Sequence, residues 1–327
     1  MARRIKLNII ALEHDEHLIR NCMPGPNVDD TIHVSINGRD TQYDQIVVLQ
    51  STREYKYPVM QCKAGNSLLI VHEPQDILRI PPQYVNQFDH VVTPNSKIKG
   101  RHTVNACFGQ LWSMNKTYDE LRSIEPPFEK LNKLSAVIST KAMTKGHRHR
   151  LNFVYGLKEE LGDLFDWYGK GVHEIEDKWD AIYPYQYHLA FENGKWPHYW
   201  TEKLTDAYMG YSMPIYIGCP NVDEYFSPDS YIQLNDRDPG IAADQIRTVI
   251  KNNDYSNAVD HITDARNRIF NQYGLFPMLE LFIANNFNLQ TDVWTEIDFS
   301  KFRNTVHFYY PRKAYRKVRH SIRKYLT

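Results

Sequence analysis

Short apolar runs, each closed by polar turn residues, recur along this chain and constrain its fold more than any other feature. They are IKLNIIAL (5–12), QIVVLQS (45–51), SLLIVHE (67–73) and HVVT (90–93), then LSAVIST (134–140), LFDWYG (164–169), YHLAFEN (187–193), MPIYIG (213–218) and YIQL (231–234). Runs this short and continuous fit strands buried on both faces. Helix-length segments lie between several of them, among them LNFVYGLKEELG (151–162) and TEKLTDAYMGY (201–211). Strand alternating with helix predicts an α/β fold with parallel sheets. After about residue 240 the pattern turns helical.

The chain has 327 residues, enough for two domains. A polar stretch with Pro126-Pro127, residues 115–133, reads as the linker between them. The expected division is an N-terminal domain over 1–114, a second domain over 134–298 and a tail over 299–327. Two sheet domains around a linker make a cleft. In open α/β sheets ligands sit beyond the carboxyl ends of the strands, so each polar group at a strand end is a candidate for that cleft.

Net charge is zero, so the whole chain has no polyanion-binding signature. The charge is unevenly spread, however. From Phe299 to Thr327 there are nine Lys or Arg and no Asp or Glu. Cys22, Cys62, Cys107 and Cys219 are far apart and in no metal spacing, which argues against a disulfide framework or a zinc site. No run approaches 18 apolar residues, so neither a signal peptide nor a spanning helix is expected. The expected location is a reducing cytoplasm.

One strand end stands out. YHLAFEN leads into Glu192 and Asn193, a loop with Gly194, Trp196 and Pro197 follows, and Thr201-Glu202-Lys203 opens a helix. A helix N-terminus favours an anion. Lys203 adds positive charge, and Glu202 can accept hydrogen bonds from sugar hydroxyls. That mix suits a nucleotide diphosphate sugar. Spacing alone leaves a second reading open, a solvated Glu–Lys pair on a helix start.

The exact wording of the stretch goes further. Phe191-Glu192-Asn193, then Tyr199-Trp200-Thr201-Glu202-Lys203, then Pro214-Ile215-Tyr216-Ile217-Gly218 resembles the donor-binding signature of glycosyltransferase family 10, the α1,3/1,4-fucosyltransferases, in its bacterial or viral type. The resemblance runs through PNVDEYFSPDSYIQLND and covers about residues 134–240; DARNRIFNQYGLF (264–276) fits more weakly. It implies a GT-B type fold, with two Rossmann-like domains facing a cleft and a C-terminal helical tail. It also implies an inverting transferase that moves fucose from GDP-fucose to a glycan hydroxyl.

The resemblance assigns residues as well. In AVISTKAMTKGHRHRLNFVYGL, Arg150 matches the arginine that contacts the donor phosphates, and it is expected to open a helix. His147, Arg148 and His149 crowd the same loop and are left unassigned. Glu192, Asn193, Tyr199, Glu202 and Lys203 complete the implied donor site. Glu73, at the end of SLLIVHEP, matches the base that deprotonates the acceptor hydroxyl. His72 and Tyr216 are further candidates. The family's usual Ser between Glu and Pro is absent, as is a Tyr that many members carry in the region of FDHVVTPNSKI. These departures bear on the acceptor more than on the chemistry.

Asp236-Arg237-Asp238 has a D-x-D spacing used elsewhere to hold a divalent ion. It lies outside the signature and reads as a turn, so no obligatory metal is expected and a divalent ion would at most stimulate. In the tail, Tyr315, Val318, Ile322, Tyr325 and Leu326 fall on one helical face among Arg and Lys. Residues 311–327 are therefore expected either to touch an anionic membrane or to pack on the domain. Two competing readings remain: the same fold and mechanism with another nucleotide sugar, and a non-catalytic nucleic-acid or membrane binder working through the tail. Zero net charge and the lack of a recognition motif speak against nucleic acid.

Overall fold

A computed structural model describes residues 4–25, 32–49, 57, 59–73, 80–127, 129–142, 145–235, 237–288 and 290–302. The strands of the first part are β1 (Ile5–Ile10), β2 (Ile32–Ile36), β3 (Gln42–Tyr43), β4 (Gln45–Leu49), β5 (Met60–Lys63), β6 (Ser67–Ile70), β7 (His90–Val92) and β8 (His102–Val104). Six of them form one sheet in the order β2-β1-β4-β6-β7-β8, with every pair parallel. All residues of β4 and β6 are buried, as continuous apolar runs require when both faces are covered. Alternate side chains feed two cores. Ile46, Val48 and Leu69 point into one, and Val47, Leu49, Leu68 and Ile70 into the other.

The second sheet contains β9 (Leu131–Val137), β10 (Phe165–Tyr168), β11 (Tyr185–Phe191), β12 (Met213–Ile217) and β13 (Ile232–Gln233). Its order is β10-β9-β11-β12-β13, again parallel throughout. Each sheet reverses direction beside its first strand: β1 lies between β2 and β4, and β9 lies between β10 and β11. Such switch points leave a crevice beyond the carboxyl ends. The fold is α/β with parallel sheets, and the apolar runs of the sequence are its strands.

The helices are α1 (Glu16–Asn21), α2 (Pro82–Val85), α3 (Tyr118–Ser123), α4 (Lys145–Leu161), α5 (Trp179–Ile182), α6 (Glu202–Met209), α7 (Pro239–Asn252), α8 (Asp254–Arg268) and α9 (Leu275–Asn286). Among the described residues, no helix is long and apolar enough to cross a membrane.

Three expectations need adjusting. The stretch 115–133 is not a bare linker. It holds α3, which Thr117 and Glu120 start with a reciprocal capping box, and β9 begins at Leu131. The chain also returns to its first half. Leu275, Leu279 and Ile283 of α9 join Leu7, Ile9 and Val47 in one core, so α9 does not belong with the second sheet. The last strand, β14 (Trp294–Ile297), pairs antiparallel with β5 in a small sheet completed by β3. Finally, Phe299 and Phe302 are buried in the other first-domain core, so the segment from 299 starts as part of that domain. The rest of the expected tail, including residues 311–327, lies outside the described residues.

Candidate active site

The crevice between the sheets holds a cavity of about 480 Å³. The first domain supplies its wall from strand ends: His14 and Asp15 follow β1, Leu49 closes β4, and His72 and Glu73 follow β6. The second domain supplies Asn193, just past β11, and Tyr199, Thr201, Glu202 and Lys203 around the start of α6. An adjoining cavity of about 140 Å³ shares Glu202 and Lys203 and adds Arg150. Glu73 and six of the expected residues are thus brought to one crevice from positions up to 131 residues apart in the chain (72 and 203).

Local chemistry fixes the second-domain wall. Thr201 caps α6, its hydroxyl accepting from the Lys203 N–H at 3.4 Å. That hydroxyl also donates to the Glu192 carboxylate at 2.8 Å, and the Thr201 N–H donates to it at 2.8 Å. The Lys203 ammonium lies 3.5 Å from Glu192 and donates to Glu202 at 2.9 Å. Glu192 is 2 % exposed and faces α6, not the cavity. It positions Thr201 and Lys203, whereas a wall contact with the donor was expected of it. Asn193 does line the cavity, and its side-chain carbonyl accepts from Arg150 at 2.6 Å.

Arg150 does not open its helix. α4 starts at least as early as Lys145, which places Arg150 in its second turn. From there its side chain is buried, and its Nε has no hydrogen-bond partner among the described residues. A buried guanidinium with an unmet donor is suited to an incoming anion. Arg148 and His149, on the same helix, stay exposed. Burial, reinforced by Arg150 and Lys141, lowers the basicity of His147.

Charge in the crevice is unevenly held. Burial raises the Glu73 carboxyl to about 6, with help from Glu202, Glu192 and Asp15 against the pull of Lys203. Burial works the same way on Glu202, but Lys203, Lys178 and hydrogen bonds outweigh it and hold that carboxyl at about 2. Partial burial works against the charge on Lys203, yet Glu202 and Glu192 keep it firmly protonated. Burial, then Glu192, Glu73 and Glu202, raise the Tyr199 phenol, so it stays a neutral donor. Burial lowers His72, whose Nε2 lies 2.5 Å from the Phe108 carbonyl. That ring is held as a neutral wall group. Tyr216 lies under the wall with its hydroxyl accepting from the Cys219 N–H at 2.9 Å, and it lines neither cavity.

Sequence reasoning missed Lys178. It lines both cavities. Its ammonium donates to Asp206 of α6 at 3.0 Å and to Ser113 at 2.5 Å, and Asp206 in turn accepts from the Ser113 N–H at 2.7 Å and hydroxyl at 2.6 Å. Lys178 follows β10 by ten residues and carries no spacing signal. Only its place beyond the carboxyl end of β10 marks it. Among the described residues no group of His, Cys, Asp or Glu could hold a metal ion. Asp236 lies outside the described residues, while Asp238 caps α7 by accepting from Gly240 and Ile241.

With this geometry in hand, comparison with known proteins is direct. Residues 129–258 match the family model described as glycosyltransferase family 10 (fucosyltransferase) C-term. That segment is similar to the C-terminal domain of family 10 glycosyltransferases. The segment comprises the second sheet and the Arg150, Asn193, Tyr199, Glu202 and Lys203 wall, while Glu73 lies outside the matched residues. Over 64 residues the chain is 36% identical to an alpha-(1,3)-fucosyltransferase, FucT, of Helicobacter pylori. The match spans 20% of this chain and only 13% of that protein. A solved alpha1,3-fucosyltransferase with GDP-fucose superposes with a TM-score of 0.52 at 15% identity, covering 90% of this chain and 92% of that one. A second structure, with GDP, gives 0.53 at 15% identity, covering 89% and 92%. At that identity the likeness speaks for the fold: the matched segment and the first domain pair as in these GT-B proteins.

Proposed function

We propose that the chain transfers fucose from GDP-fucose to a hydroxyl of a glycan acceptor, with inversion at the anomeric carbon. One observation carries this reading: a single cavity sets Glu73, with its carboxyl raised to about 6, across from Lys203, Tyr199 and Asn193. A base near that value is ionised at neutral pH and still accepts a proton readily. As the acceptor oxygen bonds to the anomeric carbon, its proton passes to the Glu73 carboxylate. The bond to the diphosphate oxygen breaks on the opposite side, and GDP leaves with the electron pair. Lys203, Arg150 and the N–H groups at the start of α6 take up the growing charge. Lys178 extends that cationic wall. Glu202 and Tyr199 hold ribose or sugar hydroxyls.

No obligatory metal enters this scheme, because the cations of the wall do the work a divalent ion would. The reading further places the protein in the cytoplasm, with the basic residues 311–327 on an anionic membrane face. Sedimentation with anionic liposomes, before and after removing the residues beyond Tyr310, tests that contact. Loss of co-sedimentation on truncation is expected.

Calorimetric titration with GDP-fucose, GDP, GDP-mannose and UDP-glucose tests the donor. Binding of GDP and GDP-fucose, weakened at least tenfold in Lys203→Ala and in Arg150→Ala with the fold intact, is the expected outcome. Preference for another GDP-sugar would replace the donor and keep the mechanism. Absence of any nucleotide binding would end the transferase reading.

A further inference from the structure

Two cations of the second domain take no part in the donor wall, and both grip the far end of α6. Arg266 of α8 is 3 % exposed. A buried charge is costly unless it is fully hydrogen-bonded, and here the bonds go to neutral oxygens. Arg266 donates from Nε to the Met209 carbonyl at 3.3 Å, from Nη1 to the Tyr211 hydroxyl at 3.0 Å, and from Nη2 to the Leu121 carbonyl of α3. Lys130, just before β9, is half-buried and donates to the Gly210 and Tyr211 carbonyls at 2.7 and 2.8 Å. The last carbonyls of a helix have no partner within it and carry partial negative charge, so cations suit them.

Tyr211 is the pivot of this cluster. It adopts a positive φ of 53°, a conformation a non-glycine residue keeps only when its surroundings enforce it. The Arg266 guanidinium lies over its ring, 4.4 Å from the centroid. Its hydroxyl, which accepts from Arg266, donates in turn to the carbonyl of Ile124, the residue that ends α3, at 3.1 Å. Leu121, Ile124 and Lys130 all belong to the passage that carries the chain from the first sheet to the second. The same passage is tied to the middle of α6 where Ser113 meets Asp206. Arg266 itself sits near the end of α8, from which the second passage departs. One side chain thus joins both passages to α6.

α6 is already seated on its own domain through Leu204, Ala207 and Tyr208. What the cations fix is therefore the passage against α6, not α6 against its sheet. Glu73 belongs to the domain upstream of that passage, and Lys203 stands at the start of α6, about 12 Å along the helix from its clamped end. We propose that Arg266 is a positioning residue, which braces the inter-domain passages on α6 and so holds Glu73 at a fixed distance from Lys203. A displacement of about 1 Å between reacting groups can lower a rate about 10²-fold even when its origin is remote. The inference rests on the transferase reading and adds to it a residue that lines neither cavity and lies beyond the segment matched by the family model.

The test reads the distance between the domains directly. The four native cysteines are buried, so thiol spin labels go to Leu281→Cys on α9 and Ile241→Cys on α7, positions 66% and 70% exposed. Pulsed dipolar spectroscopy then compares this labelled protein with the same protein carrying Arg266→Met, Arg266→Lys or Tyr211→Phe. GDP affinity is followed by calorimetry, and turnover with GDP-fucose and N-acetyllactosamine. The expected result is one narrow distance distribution with Arg266 in place, at least doubled in width by Arg266→Met, widened less by Tyr211→Phe and narrowed again in part by Arg266→Lys. In Arg266→Met, kcat falls about tenfold or more while GDP affinity stays within about twofold. An unchanged width in folded Arg266→Met, or a loss of GDP affinity as large as the loss of kcat, would overturn the brace. If Arg266→Met fails to fold, an unchanged width in Tyr211→Phe would do the same. A protein that binds neither GDP nor GDP-fucose would instead bring down the transferase reading, and the widths would still judge the brace.

Discussion

Two residues carry conflicting demands that can be measured one at a time. The Glu73 carboxyl has an ordinary value of 4.5 and is raised to about 6 by burial and by neighbouring carboxylates. Its ionised form is therefore disfavoured in the folded chain. That cost is absent below about pH 4.5, grows up to pH 6 and is constant above. At about 1.4 kcal/mol per pH unit it amounts to roughly 2 kcal/mol at most. Glu73→Gln should thus be more stable than wild type in denaturant melts at pH 8, by about 1–2 kcal/mol, and should lose that advantage toward pH 4. Its transfer rate should drop by about 10²- to 10⁴-fold, and the wild-type rise of kcat/KM through pH 6 should vanish with it. A variant that is faster, or whose stability advantage over wild type is no larger at pH 8 than at pH 4, contradicts this account. Gly218 answers a different demand. A β-carbon there would lie 2.4 Å from the Tyr216 hydroxyl and 2.5 Å from Glu192 Cγ, both buried and hydrogen-bonded. Gly218→Ala should cost about 1–3 kcal/mol and weaken GDP binding by displacing Glu192 from Thr201. Unchanged melting and GDP affinity would mean that the wall yields without consequence.

At the scale of elements, the start of α6 holds the wall together. Thr201→Val keeps the size but removes the cap and the donor to Glu192. The loss should be about 1–3 kcal/mol, accompanied by weaker GDP binding, since Lys203 also donates to that hydroxyl at 3.1 Å. Thermal melts and calorimetry on one preparation check both. This element was legible because FEN, TEK and PIYIG read as strand end, helix start and strand, and such runs need no distant partner to be recognised. Elements that depend on partners were not. β5 (MQCK) and β14 (WTEI) are short and mixed, and they become strands by pairing with each other across the chain. α9 (LFPMLELFIANN) is apolar around most of its circumference, so it shows no helical stripe to place it on either domain. The first turns of α4, KGHRHR, carry charge instead of apolar periodicity, which is why Arg150 looked like a helix start. Lys178 gained its meaning only when Ser113 and Asp206 met it in space.

Among the described residues, the two large sheets are joined by two passages of the chain, one through α3 and one after α8. At the second, the Gln110 N–H donates to the Tyr273 carbonyl at 2.9 Å and the Leu275 N–H donates to the Gln110 carbonyl at 3.1 Å. The chain then sends α9 back to fill the first-domain core. The base and the donor wall are therefore set by elements from both ends of the sequence, and the first domain is incomplete without the residues that follow the second. Leu279 tests this. It is 2 % exposed within the core that holds Ile9, Val47 and Leu68. Leu279→Ala should destabilise the first domain by about 2–5 kcal/mol, although the residue lies far from Glu73 in sequence and outside the matched family 10 segment. Because the donor wall packs on the second domain's own core, through Phe191, Trp200, Leu204 and Tyr208, GDP affinity at 25 °C should stay at the wild-type value. In urea, loss of transferase activity should move to lower concentration while loss of GDP binding moves less. If both midpoints shifted together by the same amount, the two domains would unfold as one cooperative unit, and the passage at Gln110 would be a rigid joint instead of a seam.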